Sequence, residues 1–248
     1  MFLKLQPLLQ SFLFLLGLEA ILWKQSMAGW TILALFLILV YGARKIGGRW
    51  FFSVLPIFFI LSSAVLLYMI TFPVQEHIFI LLSSSMYYLS LLGAYRLGIY
   101  AGDQTARGMN MAAMTTTIFF SYAGAYGLYL NFFVPVYYLM IVYLVVTMLV
   151  SYQYFLIIKG DDRKTVLIYS LILALAMAEI IWTMTFWPFG YLTTGVIALI
   201  LYYVIWDLIQ SHLLNLLNKK RVVVNMVFFS FMISFVLLSA KWLPVKGL

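Results

Sequence analysis

Two acids, Glu179 and Asp207, stand inside otherwise apolar stretches of this 248-residue chain. A carboxyl in that setting is costly to ionise, so it is paired, protonated, or used to couple a proton or cation. Glu179 lies nine residues before Pro188, about 13 Å along a helix and therefore close to mid-membrane. Ala174, Ala176 and Ala178 precede it and Trp182 follows one turn on, a pattern that fits a narrow site with an aromatic lid. Glu179 and Trp182 are accordingly the expected substrate or ion path. Glu19, one turn before Trp23, is its third member, since it can join Glu179, Glu76 and His77 in an outward acidic mouth or snorkel to the interface. Asp207 and Arg96 fall at comparable depths towards the cytoplasmic ends of the eighth and fourth spans and are expected to form a structural ion pair.

Other chemistries find little footing. His77 and His212 fall at opposite membrane faces on the threading given below, so they cannot share a zinc ion. A Schiff-base lysine would have to lie deep in a late span, whereas Lys241 is at the end of the last one. The pairs Gly47-Gly48 and Asp161-Asp162 sit in short basic loops, and neither a phosphate-binding glycine loop nor an aspartate-rich diphosphate site is formed. Asp161-Asp162 reads instead as a solvated turn before a helix N-terminus. The chain has no cysteine, which removes thiol chemistry and disulfides. No catalytic residue, metal or cofactor is expected.

The elements that position these residues are transmembrane helices. The chain is 66% hydrophobic and 9% charged, with a mean hydropathy of +1.08, far from the balance of a soluble domain. Nine apolar segments are long enough to cross a bilayer or nearly so: residues 5–23, 27–43, 50–72, 77–100, 109–133, 136–158, 165–187, 191–214 and 222–243. The expected fold is therefore an all-α polytopic helix bundle, a single integral membrane domain over residues 1–248 with no soluble domain. The first segment also has the make-up of a cleavable signal, with Lys4, an apolar run and small residues at Ser26 and Ala28. Cleavage would leave eight spans.

The net charge of +8 serves orientation, and no nucleic-acid partner is implied. Lys4, Arg44, Lys45, Arg49, Arg96, Arg107, Lys159, Arg163, Lys164, Lys219, Lys220 and Arg221 fall on one side, and only Lys24, Lys241 and Lys246 on the other. Twelve against three places the N-terminus in the cytoplasm. The outer turns are tight and marked by aromatics with Pro73, Pro135 and Pro188. Tyrosine pairs at 87-88, 137-138 and 202-203 follow them and hint at a repeated two-helix unit.

Small residues four apart, Ala94/Gly98, Ser121/Ala125, Ala123/Gly127 and Ala174/Ala178, mark helices that pack closely, so the fourth, fifth and seventh segments are expected inside. The serine triplet 83–85 and the threonine triplet 115–117 are expected to bond back to their own helices. Three functions fit: a small-molecule or lipid carrier using Glu179, a structural or assembly subunit of a membrane complex, or, least supported, an enzyme on a lipid-linked substrate. The expected surroundings are the lipid bilayer of a cell membrane, a prokaryotic plasma membrane, with a membrane-protein partner or a second copy of the chain.

Overall fold

The computed structural model describes residues 2–23, 28–48, 50–100, 102–160 and 162–240. Lys24, Arg49, Lys241 and Lys246, which enter the charge pattern above, lie outside them, as do Ser26 and Asp161. The described residues form nine α-helices and no strand: α1 Phe2–Trp23, α2 Ala28–Gly47, α3 Val54–Met69, α4 Pro73–Ile99, α5 Gln104–Phe132, α6 Val136–Lys159, α7 Arg163–Met184, α8 Tyr191–Leu213 and α9 Lys219–Ser239. A short 3-10 turn at Trp50–Ser53 leads into α3. Each of the nine expected segments coincides with one helix. The protein is all-α, and eight of these helices are long and apolar enough to span a membrane.

The exception is α5, which carries Arg107, Asn110 and the threonine triplet. Its composition follows from its position. Ala106, Asn110, Ala113, Met114, Thr117 and Ile118 are all buried, so much of this helix meets protein, and only a lipid-facing surface has to be apolar.

Helix starts differ between the two ends. At three of the basic ends they are capped by polar side chains: Asp103 accepts from the Ala106 N–H (3.1 Å), Asp162 from Thr165 (3.2 Å), and Asn218 from Lys220 (3.3 Å), whereas Ser53 before α3 makes no such bond. These side chains satisfy backbone donors that the first helical turn leaves free. At the other ends, α4 begins on Pro73, α6 follows Pro135, and α8 follows Gly190. There proline stands where its missing N–H costs nothing. Gly160 ends α6 at φ 43°, a left-handed conformation that suits glycine.

The chain packs as two compact units, residues 1–121 and 122–248. In the first, α1 packs on α2 and α4, and α2 also meets α3 and α4. Gly98 permits the α2–α4 approach, since a Cβ there would stand 3.2 Å from the Gly47 carbonyl oxygen. Phe14, Phe59, Phe120 and Tyr87 form its aromatic centre, with Phe14 and Tyr87 ring centroids 4.7 Å apart. In the second unit α7 packs along α6 and against α8, which in turn meets α9. Gly195 of α8 lies so close to α5 that an added Cβ would sit 2.8 Å from that of Ala123.

Asp103 shows how a charge is held at a basic end. Its Oδ1 caps α5, and its Oδ2 receives the Arg96 Nε–H at 2.7 Å. The Ala106 N–H and then Arg96 hold the carboxyl below its usual value of 3.8. A depressed carboxylate stabilises the fold above its unfolded value and ceases to do so as pH falls through the folded one. Asp103→Ala should therefore lower the thermal midpoint at pH 7, and the gap from the unmodified chain should narrow as pH is taken below 3.8. A gap that does not change with pH would show that the cap and ion pair contribute nothing.

Candidate functional site

Glu179 lies on the exposed face of α7 with Ile172, Leu175 and Trp182, at the three- and four-residue spacing of one helix side. Leu173, Ala174, Met177, Ala178 and Ile181 turn inward instead. Glu179 and Trp182 thus share one exposed helix side, with no side chain of α7 covering the carboxyl. Trp182 is 48% exposed, and its ring meets Phe186 edge-on at 5.9 Å, part of an aromatic belt at the helix end.

The helix ends sooner than the sequence segment 165–187. α7 ends at Met184, and the N–H groups of Thr185, Phe186 and Trp187 fold back onto carbonyls of residues 181–184 as the turn begins. Glu179 is thus five residues from the end of its helix, about 8 Å along the axis. Of the nine residues to Pro188, the last four are not helical. Glu179 remains a carboxyl facing outward from an apolar helix surface, one to two turns inside the aromatic belt.

Glu19 finds its partner on α4. Its Oε1 is 2.9 Å from His77 Nδ1, and both side chains are substantially exposed. Two of the four residues considered for an acidic mouth are thus brought together in the first unit, with Glu76 in the same first turn of α4. Glu179 stands on the second unit.

Arg96 and Asp207 are each engaged within their own unit. Arg96 is bound by Asp103, as described above. Asp207 is 8% exposed and accepts a hydrogen bond from Asn225 Nδ2 at 2.5 Å, which ties α8 to α9. Asp103 was legible as an N-cap from its place just before an apolar-periodic segment. Asn225, in the last span, carried no such mark.

The densest polar structure is one the sequence reading left out. In the second unit the Tyr122 hydroxyl meets Thr147 Oγ1 at 2.6 Å, Thr147 Oγ1 donates to the Tyr143 carbonyl (2.5 Å), and the Tyr143 hydroxyl donates to the Tyr122 carbonyl (3.0 Å). Since the Thr147 proton is already used, Tyr122 is the donor to Thr147. The two tyrosine rings stack at 4.0 Å, almost parallel. One turn further along α6, Ser151 meets the Tyr202 hydroxyl of α8 at 3.0 Å, and Tyr202 lies edge-on to Tyr122. Tyr122, Tyr143, Thr147, Ser151 and Tyr202 are all fully buried. This network is satisfied and ring-packed, so it fills the interior of the unit with protein.

The first unit is less complete. Ser83, Tyr87 and Ser90 lie buried along one side of α4, and the hydroxyls of Ser83 and Tyr87 have no hydrogen-bond partner among the described residues. Both amide atoms of buried Asn110, packed beside Gly93, are in the same condition. Ser84, Ser85, Thr115, Thr116 and Thr117 do bond back to carbonyls of their own helices. Among the described residues, no three of His, Asp and Glu gather closely enough to share a metal ion.

A family model described as "Protein of unknown function (DUF5656)" matches residues 41–240. The chain belongs to this family. The DUF5656 match begins in the last turns of α2 and runs through α9, so it takes in Glu179, Asp207, Arg96 and the buried tyrosine network, while α1 with Glu19 lies outside it. Neither curated proteins nor solved structures give a match.

The tyrosine network makes a direct test of interior packing possible. Thr147→Val leaves the Tyr122 hydroxyl buried without an acceptor and should destabilise the protein by about 1–3 kcal/mol, read by SDS titration in mixed micelles. Adding Tyr122→Phe removes the orphaned hydroxyl, so the double variant should be less destabilised than the sum of the two single changes. Strict additivity would show that the hydrogen bond is not formed.

Proposed function

We propose that this integral membrane protein is a non-catalytic assembly subunit, and that the α7 face bearing Glu179 receives a transmembrane helix of another membrane protein. The observation that carries this reading is the outward position of Glu179 among Ile172, Leu175 and Trp182. A carboxyl facing lipid is costly, and a polar group on a neighbouring helix relieves that cost through a hydrogen bond. A small-molecule or lipid carrier using Glu179 would instead need this group to face a path between helices of its own unit, where buried Ala174, Ala178 and Ile181 now stand. The satisfied tyrosine network supports the same reading, since it closes the interior that such a path would have to cross. The basic helix ends face the cytoplasm in this arrangement, as the lysine and arginine distribution requires.

The chain contains no cysteine, so a single cysteine introduced for Leu175 reports on one surface alone. Native mass spectrometry of the protein released from its own membrane in mild detergent should give a species heavier than the 28.6 kDa chain. A photoreactive label on Leu175→Cys should attach to the same partner. Glu179→Leu should release it, whereas Glu179→Gln, which retains a hydrogen-bonding head, should keep it. A bare monomer without crosslinks from position 175 overturns the proposal.

A further inference from the structure

Between α1 and α2 of the first unit lies a cleft of about 350 Å³. Its walls change character along its length. Lys45, Gln6 and Gln10 line the end where α1 begins and α2 finishes, with Leu5 and Leu9 interspersed, and Leu13 and Ile38 line the part running deeper along the helices. The two helices are neighbours, so the one charge stands at the mouth and only apolar side chains line the deeper end.

Gly42 makes the polar end possible. A Cβ at that position would fall 1.3 Å from Gln10 Nε2, so the glutamine amide rests directly against the α2 backbone. The carbonyl oxygens of Gln6 and Gln10 are buried and accept no hydrogen bond among the described residues. Lys45 is exposed at the mouth and forms no ion pair among them. The cleft therefore presents one cation, amide donors, two unused acceptors and an apolar channel to whatever enters from the bilayer.

We infer that this cleft binds an anionic glycerophospholipid whose head group carries hydroxyls. Lys45 holds the phosphate, the Gln6 and Gln10 oxygens accept from the head-group hydroxyls, and an acyl chain lies along Leu9, Leu13 and Ile38. Each part of the lipid meets its chemical complement in the order in which the helices present them. A zwitterionic choline lipid has no hydroxyl to donate and brings its own cation to the mouth, so it is the weaker ligand. Free phosphate would satisfy Lys45 and leave both the acceptors and the channel unused.

The test uses the full chain in nanodiscs of equal phosphatidylglycerol and phosphatidylcholine, followed by native mass spectrometry of retained lipid. Phosphatidylglycerol should be retained over phosphatidylcholine. Lys45→Gln should reduce its retention about fivefold, the effect of one cation at an anionic lipid surface. Gln10→Leu and Gly42→Val, which remove or displace the amide, should also reduce it. Lys164→Gln, an exposed lysine on the second unit, should leave it unchanged. Lys45 is exposed, so its variant tests the site without disturbing the helix packing. Equal retention of the two lipids, retention insensitive to Lys45→Gln, or displacement of phosphatidylglycerol by inorganic phosphate alone would each overturn the inference.

Discussion

No water is available in the hydrocarbon layer to accept or donate hydrogen bonds, and every polar group placed there must find a partner within the protein. Helices answer this for the backbone, and the side chains repeat the answer at smaller scale. Most hydroxyls of the serine and threonine triplets return to carbonyls one turn back. Where side chains are large enough to reach another helix, they close loops, as Tyr122, Thr147 and Tyr143 do between α5 and α6. Desolvated hydrogen bonds of this kind constrain the register of two helices, because a slip of one residue would strand the Tyr122 and Tyr143 hydroxyls together.

The same constraint drives the charges towards helix ends and into local pairs. Arg96 meets Asp103 across the short connection from α4 to α5, and Glu19 meets His77 where α1 ends and α4 begins. Asp207, the one acid among the buried residues, is held by Asn225. These contacts join neighbouring elements and need no reaction to explain them. Glu179 stands apart, since its helix surface offers it to the outside. The contrast between a polar interior tied up by its own hydroxyls and a carboxyl turned outward is what favours an interaction role over a carrier role.

The two units solve the problem unequally. The second builds part of its core from stacked and hydrogen-bonded rings, and keeps buried polar atoms of Trp206, Gln210 and Ser211 without partners among the described residues. The first leaves Tyr87, Ser83 and Asn110 buried without partners among the described residues and opens a cleft beside Gln6 and Gln10. A polar amide in such a cleft is tolerable where a ligand of matching chemistry can reach it from the bilayer, and Lys45 at the mouth supplies the charge that selects one.

By itself the sequence determined the class, the number of helices and the ends at which they turn, because long apolar runs, prolines and clustered lysines and arginines act locally. It also determined that Asp162 would begin a helix and that most of the triplet hydroxyls, Ser83 excepted, would bond to their own backbone. Only the tertiary structure decided which side of each helix faces protein. In a soluble protein the buried face is announced by apolar periodicity, whereas in lipid the outer face is as apolar as the inner one and the signal vanishes. That is why the side of α7 on which Glu179 stands, the partners of Tyr122 and Tyr143, and the contact of Gln10 with Gly42 carried no mark in the sequence.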